Sequence, residues 1–384
     1  MNHKLKIDYS EFIYYISFIV WVASYFIIET ALVESYPELY GARTYVMLGV
    51  ISLLIIKFFI EKHELRDTIL SVVIGVIIVF IGIRLKNTNS MLTLISSYLF
   101  IISIHKIPLR RILTIWLWEI FVLMSLTQLG YILEILPNNI WIRYDNVRNG
   151  LGYVYSTFGA NYLFHFSVIY LYLRGKKTTW VETFVLISVN MYMYVMTDTK
   201  SAFIWAVVGI SLFKLLQYTD VNEKSLKLMN KYAVLGGATI SIFLAYVFNQ
   251  GNSLLLALNN LLTGRLYLGH AAIEKYGFRP FGQRVEWVTQ TELGSLDSYL
   301  YVDSSFLNIA INYGMILLIL LIVGFYLLDQ FKITQNRYYT IMLIVLVGHS
   351  MFDPQFLLLM YNPLLLFLGL LFNKNLLKHQ KGEL

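Results

Sequence analysis

Long apolar runs separated by short polar turns constrain this chain more than any other feature. Of its 384 residues, 58% are hydrophobic and only 14% are charged, whereas a soluble domain is about 25% charged. A helix needs about 20 mostly apolar residues to cross a bilayer. Runs near this length predict twelve spans, at residues 12–32, 45–60, 68–84, 91–105, 112–133, 158–173, 180–197, 200–217, 231–248, 305–328, 338–351 and 355–373. The predicted fold class is an all-α, polytopic integral membrane protein with a single transmembrane domain, residues 1–384.

The positions of lysine and arginine predict the orientation. If the N-terminus is cytoplasmic, twenty of the 30 Lys and Arg residues fall in cytoplasmic segments, as the positive-inside rule requires. Four of the other ten lie in the single long segment 249–304, and long loops escape this rule. We therefore expect both termini to be cytoplasmic, with a retained first helix rather than a cleaved signal peptide. Because the cations are spread over many short turns, the net charge of +7 does not indicate nucleic-acid binding.

Two predicted outer segments are longer than connections need to be. They are a first outer loop, residues 134–157, and a second outer loop, residues 249–304, and long loops on a rigid scaffold usually carry sites. The chain has no cysteine, and it contains neither a phosphate-binding loop of the G-x-x-x-x-G-K-[ST] type nor an H-E-x-x-H motif. We therefore predict no cofactor and no metal site. A membrane enzyme that works on the outer face without a nucleotide needs a substrate that is already activated. A lipid-linked diphosphate sugar is such a substrate, because its leaving group carries the energy for the transfer.

Arginines in the two outer loops are candidate ligands for such a diphosphate. Arg143 and Arg148 lie in the first loop, and Arg265 and Arg279 lie in the second. A guanidinium fork binds phosphate in bidentate fashion and keeps its charge. The alternative is that these side chains reach lipid headgroups or form the basic edge of an interfacial helix. Residues 264–277 predict a short amphipathic helix lying in the membrane interface.

Three further residues are candidate catalytic groups. Asp303 precedes an apolar run, so it either caps a helix or holds an arginine or an acceptor hydroxyl at the mouth of a site. His349 and Asp353 have i,i+4 spacing at the outer end of a span. They form either a general base oriented by a carboxylate or a polar pair that closes the helix. Ionisable residues inside predicted spans are also functional hypotheses because burying them is costly, and these are Glu29, Glu119, His165, Glu182 and Asp198.

Three segments in the last third of the chain form an ordered set. They read "LLTGRLYLGHAAIEKYGFRPFGQ", "DSSFLNIAINYGMI" and "GHSMFDPQF". Together with the architecture of the whole chain, they resemble the polytopic bacterial polysaccharide polymerases (Wzy type) of the O-antigen ligase/polymerase superfamily. One family pattern, an arginine and a glycine separated by fifteen residues, is matched by Arg143 and Gly159. A second, with ten residues between, is missed by one, because eleven residues separate Arg265 from Gly277.

The resemblance implies an inverting, metal-independent glycosyl transfer on the outer face of a bacterial plasma membrane. The donor would be a growing chain on undecaprenyl diphosphate, and the acceptor another lipid-linked repeat unit of an O-antigen, capsular or exopolysaccharide. The arginines would stabilise the departing diphosphate, and His349 or a nearby carboxylate would take the acceptor's proton. Implied partners are membrane lipids, a flippase and a chain-length regulator.

Two other activities stay open. An O-antigen-type ligase shares the donor chemistry. A lipid-linked oligosaccharide flippase suits twelve spans, although the chain shows no internal repeat of the kind that transporters carry.

Overall fold

The structure, a computed structural model, describes residues 8–143, 146–219, 222–289 and 299–373, without the side chains of Arg143 and Glu223. The α-helices within these residues are α1 (Tyr9–Glu29), α2 (Leu32–Ser35), α3 (Glu38–Ile60), α4 (Leu65–Leu85), α5 (Thr88–Ile102), α6 (Leu109–Ile132), α7 (Ser156–Arg174), α8 (Trp180–Thr197), α9 (Lys200–Leu215), α10 (Glu223–Tyr246), α11 (Ser253–Leu261), α12 (Arg265–Tyr276), α13 (Ser305–Asn308), α14 (Met315–Leu328) and α15 (Arg337–Ser350). Residues Pro363–Phe372 form a 3₁₀ helix, and β1 (Ile140–Arg143) pairs antiparallel with β2 (Asn146–Asn149).

Membrane-spanning helices dominate this fold. Among the described residues, five helices are long and apolar enough to cross a membrane, namely α1, α3, α4, α6 and α10 from Lys224 onward. The chain is therefore an all-α membrane protein with one small hairpin. The other predicted spans also overlap helical segments, but these are shorter or less apolar. The twelve spans and the cytoplasmic termini consequently stay predictions.

Helix α7 forms the centre of the molecule. It packs against α6, α8, α9 and α15, and it buries both apolar and polar side chains. A helix that is buried on all sides is usual in the interior of a large or membrane protein. One of its buried polar residues, His165, places Nδ1 2.8 Å from the carbonyl oxygen of Asn161, one turn earlier. His165 thus has a structural contact within its own helix.

The apolar run 305–328, predicted as one span, is broken at Gly314. This glycine has φ 100° and separates α14 from a π-helical turn, Ile309–Tyr313. The backbone N–H groups of Met315 and Ile316 donate to the carbonyls of Arg279 and Pro280, at 3.0 Å each. The first N–H groups of α14 thus donate to the turn around Pro280 instead of to a preceding helical turn. The apolar composition of the run could not indicate this change of hydrogen-bond acceptor.

The end of the helices opposite the hairpin is held by cations bound to backbone carbonyls. Arg110 Nη2 donates to the carbonyl of Leu173 at 2.8 Å, and Lys214 Nζ donates to that of Thr178 at 3.0 Å. Leu173 lies in the last turn of α7, where carbonyls lack partners within the helix and carry partial negative charge, and Thr178 lies in the connection between α7 and α8. These cations therefore join neighbouring helices at that end. Glu182, one of the ionisable residues in the predicted spans, lies there too and forms a capping box with Thr179 at the start of α8.

Candidate functional site

A cavity of about 1150 Å³ opens at the hairpin end of the helices. Its wall combines segments that are far apart in sequence: the end of α1, strand β2, the α8–α9 turn, the start of α12 and the chain on either side of α13–α15. Most of the charged and amide side chains of the wall come from these segments. The described ones are Glu29, Asn146, Arg148, Asp198, Lys200, Asn260, Arg265, Asp303, Asp353 and Gln355. The fold thus gathers residues from both predicted outer loops around one space.

Strand β2 holds Arg148 in the cavity wall by capping α8. The Nε of Arg148 donates to the carbonyl of Thr197 at 2.9 Å. The neighbouring Asn149 donates from Nδ2 to the carbonyl of Met196 at 3.0 Å. These bonds satisfy carbonyls that the end of a helix leaves without partners. Arg148 is only 4% exposed, so its charge is directed into the cavity wall rather than into bulk water.

The turn between α8 and α9 supplies a second set of polar groups. Asp198 ends α8 in the left-handed region, at φ 48°, which aspartate tolerates better than most residues. Lys200 begins α9, and no side chain caps that helix start. Lys200 and Ser201 both line the cavity. An uncapped helix N-terminus favours anions, so here it adds to the positive charge of Lys200 and Arg148.

Arg265 and Asp303 form an ion pair across the second outer loop. Arg265 follows Gly264, which has φ 86°, at the first position of α12. Its Nε lies 2.9 Å from Asp303 Oδ2, and both side chains are about a quarter exposed. Ser304, not Asp303, caps α13, since its hydroxyl accepts from the N–H of Leu307. Of the two interpretations of Asp303, the structure shows the one in which the carboxylate holds an arginine.

Asp353 lies in the cavity wall, and His349 lies behind it. The two have i,i+4 spacing, with His349 Nε2 3.3 Å from Asp353 Oδ2. His349 is fully buried, stacks on the ring of Phe164 with centroids 4.1 Å apart, and does not line the cavity. The role of His349 as a general base stays a prediction, and direct contact with a substrate in this cavity is not what its position provides. His349 is placed to act through Asp353 rather than on a substrate.

The electrostatics of the site couple Asp353 to the arginines. Burial raises the pKa of Asp353 to about 7, although the positive charges of Arg265 and Arg148 act in the opposite direction. Burial lowers the pKa of Arg265, but Asp303 and Asp353 outweigh it and raise that pKa above its ordinary value. Near neutral pH, Asp353 can therefore exchange a proton, whereas Arg265 stays charged.

Two predicted site residues are not brought into the cavity by the described structure. Arg279 is exposed and does not line it. Its backbone carbonyl supports α14, so its segment has a structural role instead. The backbone of Arg143 belongs to β1, opposite Asn146, but its side chain lies outside the described part of the chain. Within that part, no group of three or more His, Asp or Glu side chains is placed to share a metal ion.

The residues Lys200, Ser201 and Asn146 were missed by the sequence analysis. For Lys200 and Ser201 the available signal was the polar break "TDTKS", residues 197–201, between two predicted spans, and for Asn146 it was its place two residues before Arg148 in the first outer loop. A turn this short does not by itself indicate a site, because most connections between helices are short and polar.

Comparison of the chain with protein-family models, with curated proteins and with solved structures finds no match. What the site does is therefore inferred from its own chemistry and geometry.

Proposed function

We propose that this protein is a bacterial polysaccharide polymerase. It transfers a glycan from a polyprenyl-diphosphate carrier to another lipid-linked repeat unit on the outer face of the plasma membrane. The observation that carries the proposal is that Arg148 and Arg265, from two distant segments, line one cavity together with the carboxyl group of Asp353.

Positive charge around the cavity suits a diphosphate leaving group. Arg148, Lys200 and Arg265 all line it, and negative charge grows on the diphosphate as its bond to the sugar breaks. Fixed cations that meet such charge lower the barrier by about 3–4 kcal/mol for each donor. Asp303 acts as a positioning residue, because its ion pair fixes the direction of the Arg265 guanidinium.

Apolar residues at the cavity wall suit a substrate whose tail stays in the bilayer. Ile204 on α9 and Leu261 on α11 line the cavity and are 55% and 77% exposed. The cavity thus reaches the apolar outer surface of the molecule. Its volume of about 1150 Å³ also exceeds the roughly 300–1,000 Å³ of ordinary small-molecule pockets. This leaves room for the reacting ends of two glycans.

The alternatives differ in what receives or carries the glycan. A ligase would use the same donor and deliver the finished glycan to a different acceptor. A flippase would need a polar path to the opposite end of the helices, where Arg110 and Lys214 are bound to backbone carbonyls. The described cavity wall lies at the hairpin end, which favours chemistry there over transport.

Reconstitution tests the proposal. Purified full-length protein in proteoliposomes is supplied with polyprenyl-diphosphate-linked repeat units as both donor and acceptor. The expected result is a ladder of longer lipid-linked glycans, with release of polyprenyl diphosphate. Inserted protein that elongates nothing would contradict polymerisation. Transfer that occurs only when a different acceptor is added would indicate a ligase.

The pKa of Asp353 predicts how diphosphate affinity depends on pH. The pKa is raised to about 7, so the carboxyl is mostly neutral below this pH and ionised above it. Ionisation adds a negative charge beside Arg265 and Arg148, and we expect it to weaken binding of farnesyl diphosphate about tenfold as the pH rises from about 6 to about 8. Fluorescence or calorimetric titration measures this affinity.

Asp353→Asn is the matched variant for that titration, because the amide has the size of the protonated carboxyl and stays uncharged at every pH. The ligand ionises in the same way with both proteins, so its own pH dependence cancels in the comparison. The ratio of wild-type to variant affinity should fall through pH 7. A ratio that stays constant would show that Asp353 does not face the bound diphosphate.

A further inference from the structure

Glu29 differs from the other carboxylates of the cavity wall. Among the described residues, each of the others has a cation or a histidine within ion-pair distance. These pairs are Asp303 with Arg265 at 2.9 Å, Asp198 with Lys200 at 3.9 Å and Asp353 with His349 at 3.3 Å. Glu29 lines the same cavity, and no described Lys, Arg or His side chain lies within that distance of it. Its partners are the hydroxyl of Tyr361 and, through space, the positive charge of Arg43, so the carboxylate has no described ion-pair partner in the cavity wall.

The position of Glu29 is unfavourable for stability. It is the last residue of α1, and the C-terminal end of a helix carries partial negative charge that repels a carboxylate. It also ends an apolar helix that is long enough to cross a membrane, and a carboxylate without a counter-charge is costly in such surroundings. A position that costs stability and faces a cavity is one where functional residues are found.

Rigid contacts fix the Glu29 carboxylate. The hydroxyl of Tyr361 donates to Glu29 Oε2 at 2.6 Å. Tyr361 is 2% exposed and stacks on Tyr162, with ring centroids 4.2 Å apart. The backbone carbonyl of Glu29 accepts from the N–H of Val154 at 3.0 Å. The side chain is thus oriented before any substrate arrives, as a catalytic group requires.

Glu29 belongs to a different part of the wall from the cations. Arg148, Lys200 and Arg265 come from β2, α9 and α12. Arg148 and Arg265 act on Asp353, and Lys200 pairs with Asp198. Glu29 belongs to α1, and the segment after α15 supplies its hydrogen-bond donor, Tyr361. Arg43 of α3 is buried 5.0 Å from the ring of Tyr25 and does not line the cavity. Arg265 and Arg148 act on Asp353, whereas the positive charge that acts on Glu29 is that of Arg43. Glu29 is therefore in a different electrostatic environment from Asp353.

An inverting transfer needs this separation. The acceptor hydroxyl attacks the sugar from the face opposite the leaving group, so the base that takes its proton must lie away from the diphosphate. Asp353 lies beside the arginines and is poorly placed for that role. Resting on the proposed function, we infer that Glu29 is the general base for the acceptor hydroxyl of the glycan.

The step balances without any further reactant. The Glu29 carboxylate takes the proton of the acceptor hydroxyl as its oxygen forms a bond to the anomeric carbon. The bond from that carbon to the phosphate oxygen breaks, and the electron pair leaves with the diphosphate beside Arg148 and Arg265. Glu29 then returns its proton to water in the cavity.

Glu29→Gln tests the assignment in the proteoliposome assay. A general base commonly contributes about 10²- to 10⁴-fold, so we expect kcat to fall at least about 100-fold. The KM for the donor and the affinity for farnesyl diphosphate should stay within about twofold, which also shows that the variant is folded. The rise of the wild-type rate with pH, as the base ionises, should disappear. Glu38→Gln, at an exposed glutamate that does not line the cavity, is the control and should match the wild type.

The outcomes separate the two proposals. Wild-type protein that makes no polymer contradicts the proposed function itself. If the wild type polymerises while Glu29→Gln keeps its kcat and pH profile, or changes only the acceptor KM, Glu29 is not the base. If glutamine disturbs insertion, Glu29→Asp gives the answer. It should retain the pH dependence at a lower rate, and an aspartate variant without that dependence would overturn the assignment.

Discussion

Arg265→Ala is expected to reduce glycan transfer about 100- to 1,000-fold, the loss seen when one fixed donor to a developing anion is removed. Arg265 lines the cavity, and its ion pair with Asp303 fixes its direction. Alanine removes the positive charge and also leaves the Asp303 carboxylate facing the diphosphate. Both changes disfavour the departing group more than the bound substrate, so kcat should fall more than the KM for the donor rises.

Three companion variants make this measurement specific. Arg279→Ala should behave like the wild type, because Arg279 is exposed and outside the cavity wall. Arg265→Lys should restore only part of the rate, since a lysine keeps the charge but not the planar fork. Arg265→Ala combined with Asp303→Asn should be faster than Arg265→Ala alone. An Arg279 variant that loses transfer while the Arg265 variant retains it would reverse the assignment of the two arginines.

Gly314→Val is expected to destabilise the protein by about 3–5 kcal/mol. Gly314 has φ 100°, and a Cβ added there would lie 2.5 Å from the carbonyl oxygen of Pro280 and 2.9 Å from that of Arg279. A side chain would therefore push the turn away from α14 and break the two backbone bonds that join them. The unfolding temperature of the detergent-solubilised protein should fall by about 5 °C.

The matched control is Gly49→Ala on α3, where an added Cβ meets no atom within 4 Å. Its unfolding temperature should equal or exceed that of the wild type, because alanine favours helix more than glycine does. Equal unfolding temperatures for the Gly314 and Gly49 variants would show that the close approach at Gly314 does not matter for stability.

The sequence was sufficient for the class of fold, and it named several residues that the structure brings together in one cavity. Long apolar runs are typical of segments buried in lipid or protein, and a segment that crosses a bilayer satisfies its backbone groups by forming a helix. The helical membrane architecture could therefore be predicted from these runs. Residues 264–277 were predicted as a helix, and α12 is found at Arg265–Tyr276. Arg148, Arg265, Asp303 and Asp353 were candidates, and all four line the cavity.

Features that depend on three-dimensional contacts could not be predicted. The break at Gly314 requires a partner segment about 30 residues earlier in the chain. The β1–β2 hairpin is short, and its role in capping α8 rests on contacts across 47 and 49 residues. His349 and Asp353 were correctly paired by their spacing, but only the packing of Phe164 shows which of the two is enclosed. Glu29 stood among five ionisable residues until the structure placed it in the cavity wall without a described ion-pair partner.

The sizes of lipid-linked glycans in a strain that lacks this protein distinguish polymerisation from ligation and from transport. Undecaprenyl-linked oligosaccharides would be extracted and sized by mass spectrometry, and the leaflet that carries them would be determined. We expect single repeat units on the outer leaflet and no polymer, with polymer restored by the wild type but not by Arg265→Ala. Full-length polymer retained on the lipid carrier would indicate a ligase. Single units confined to the cytoplasmic leaflet would indicate a flippase and rule out polymerisation as the function of this protein.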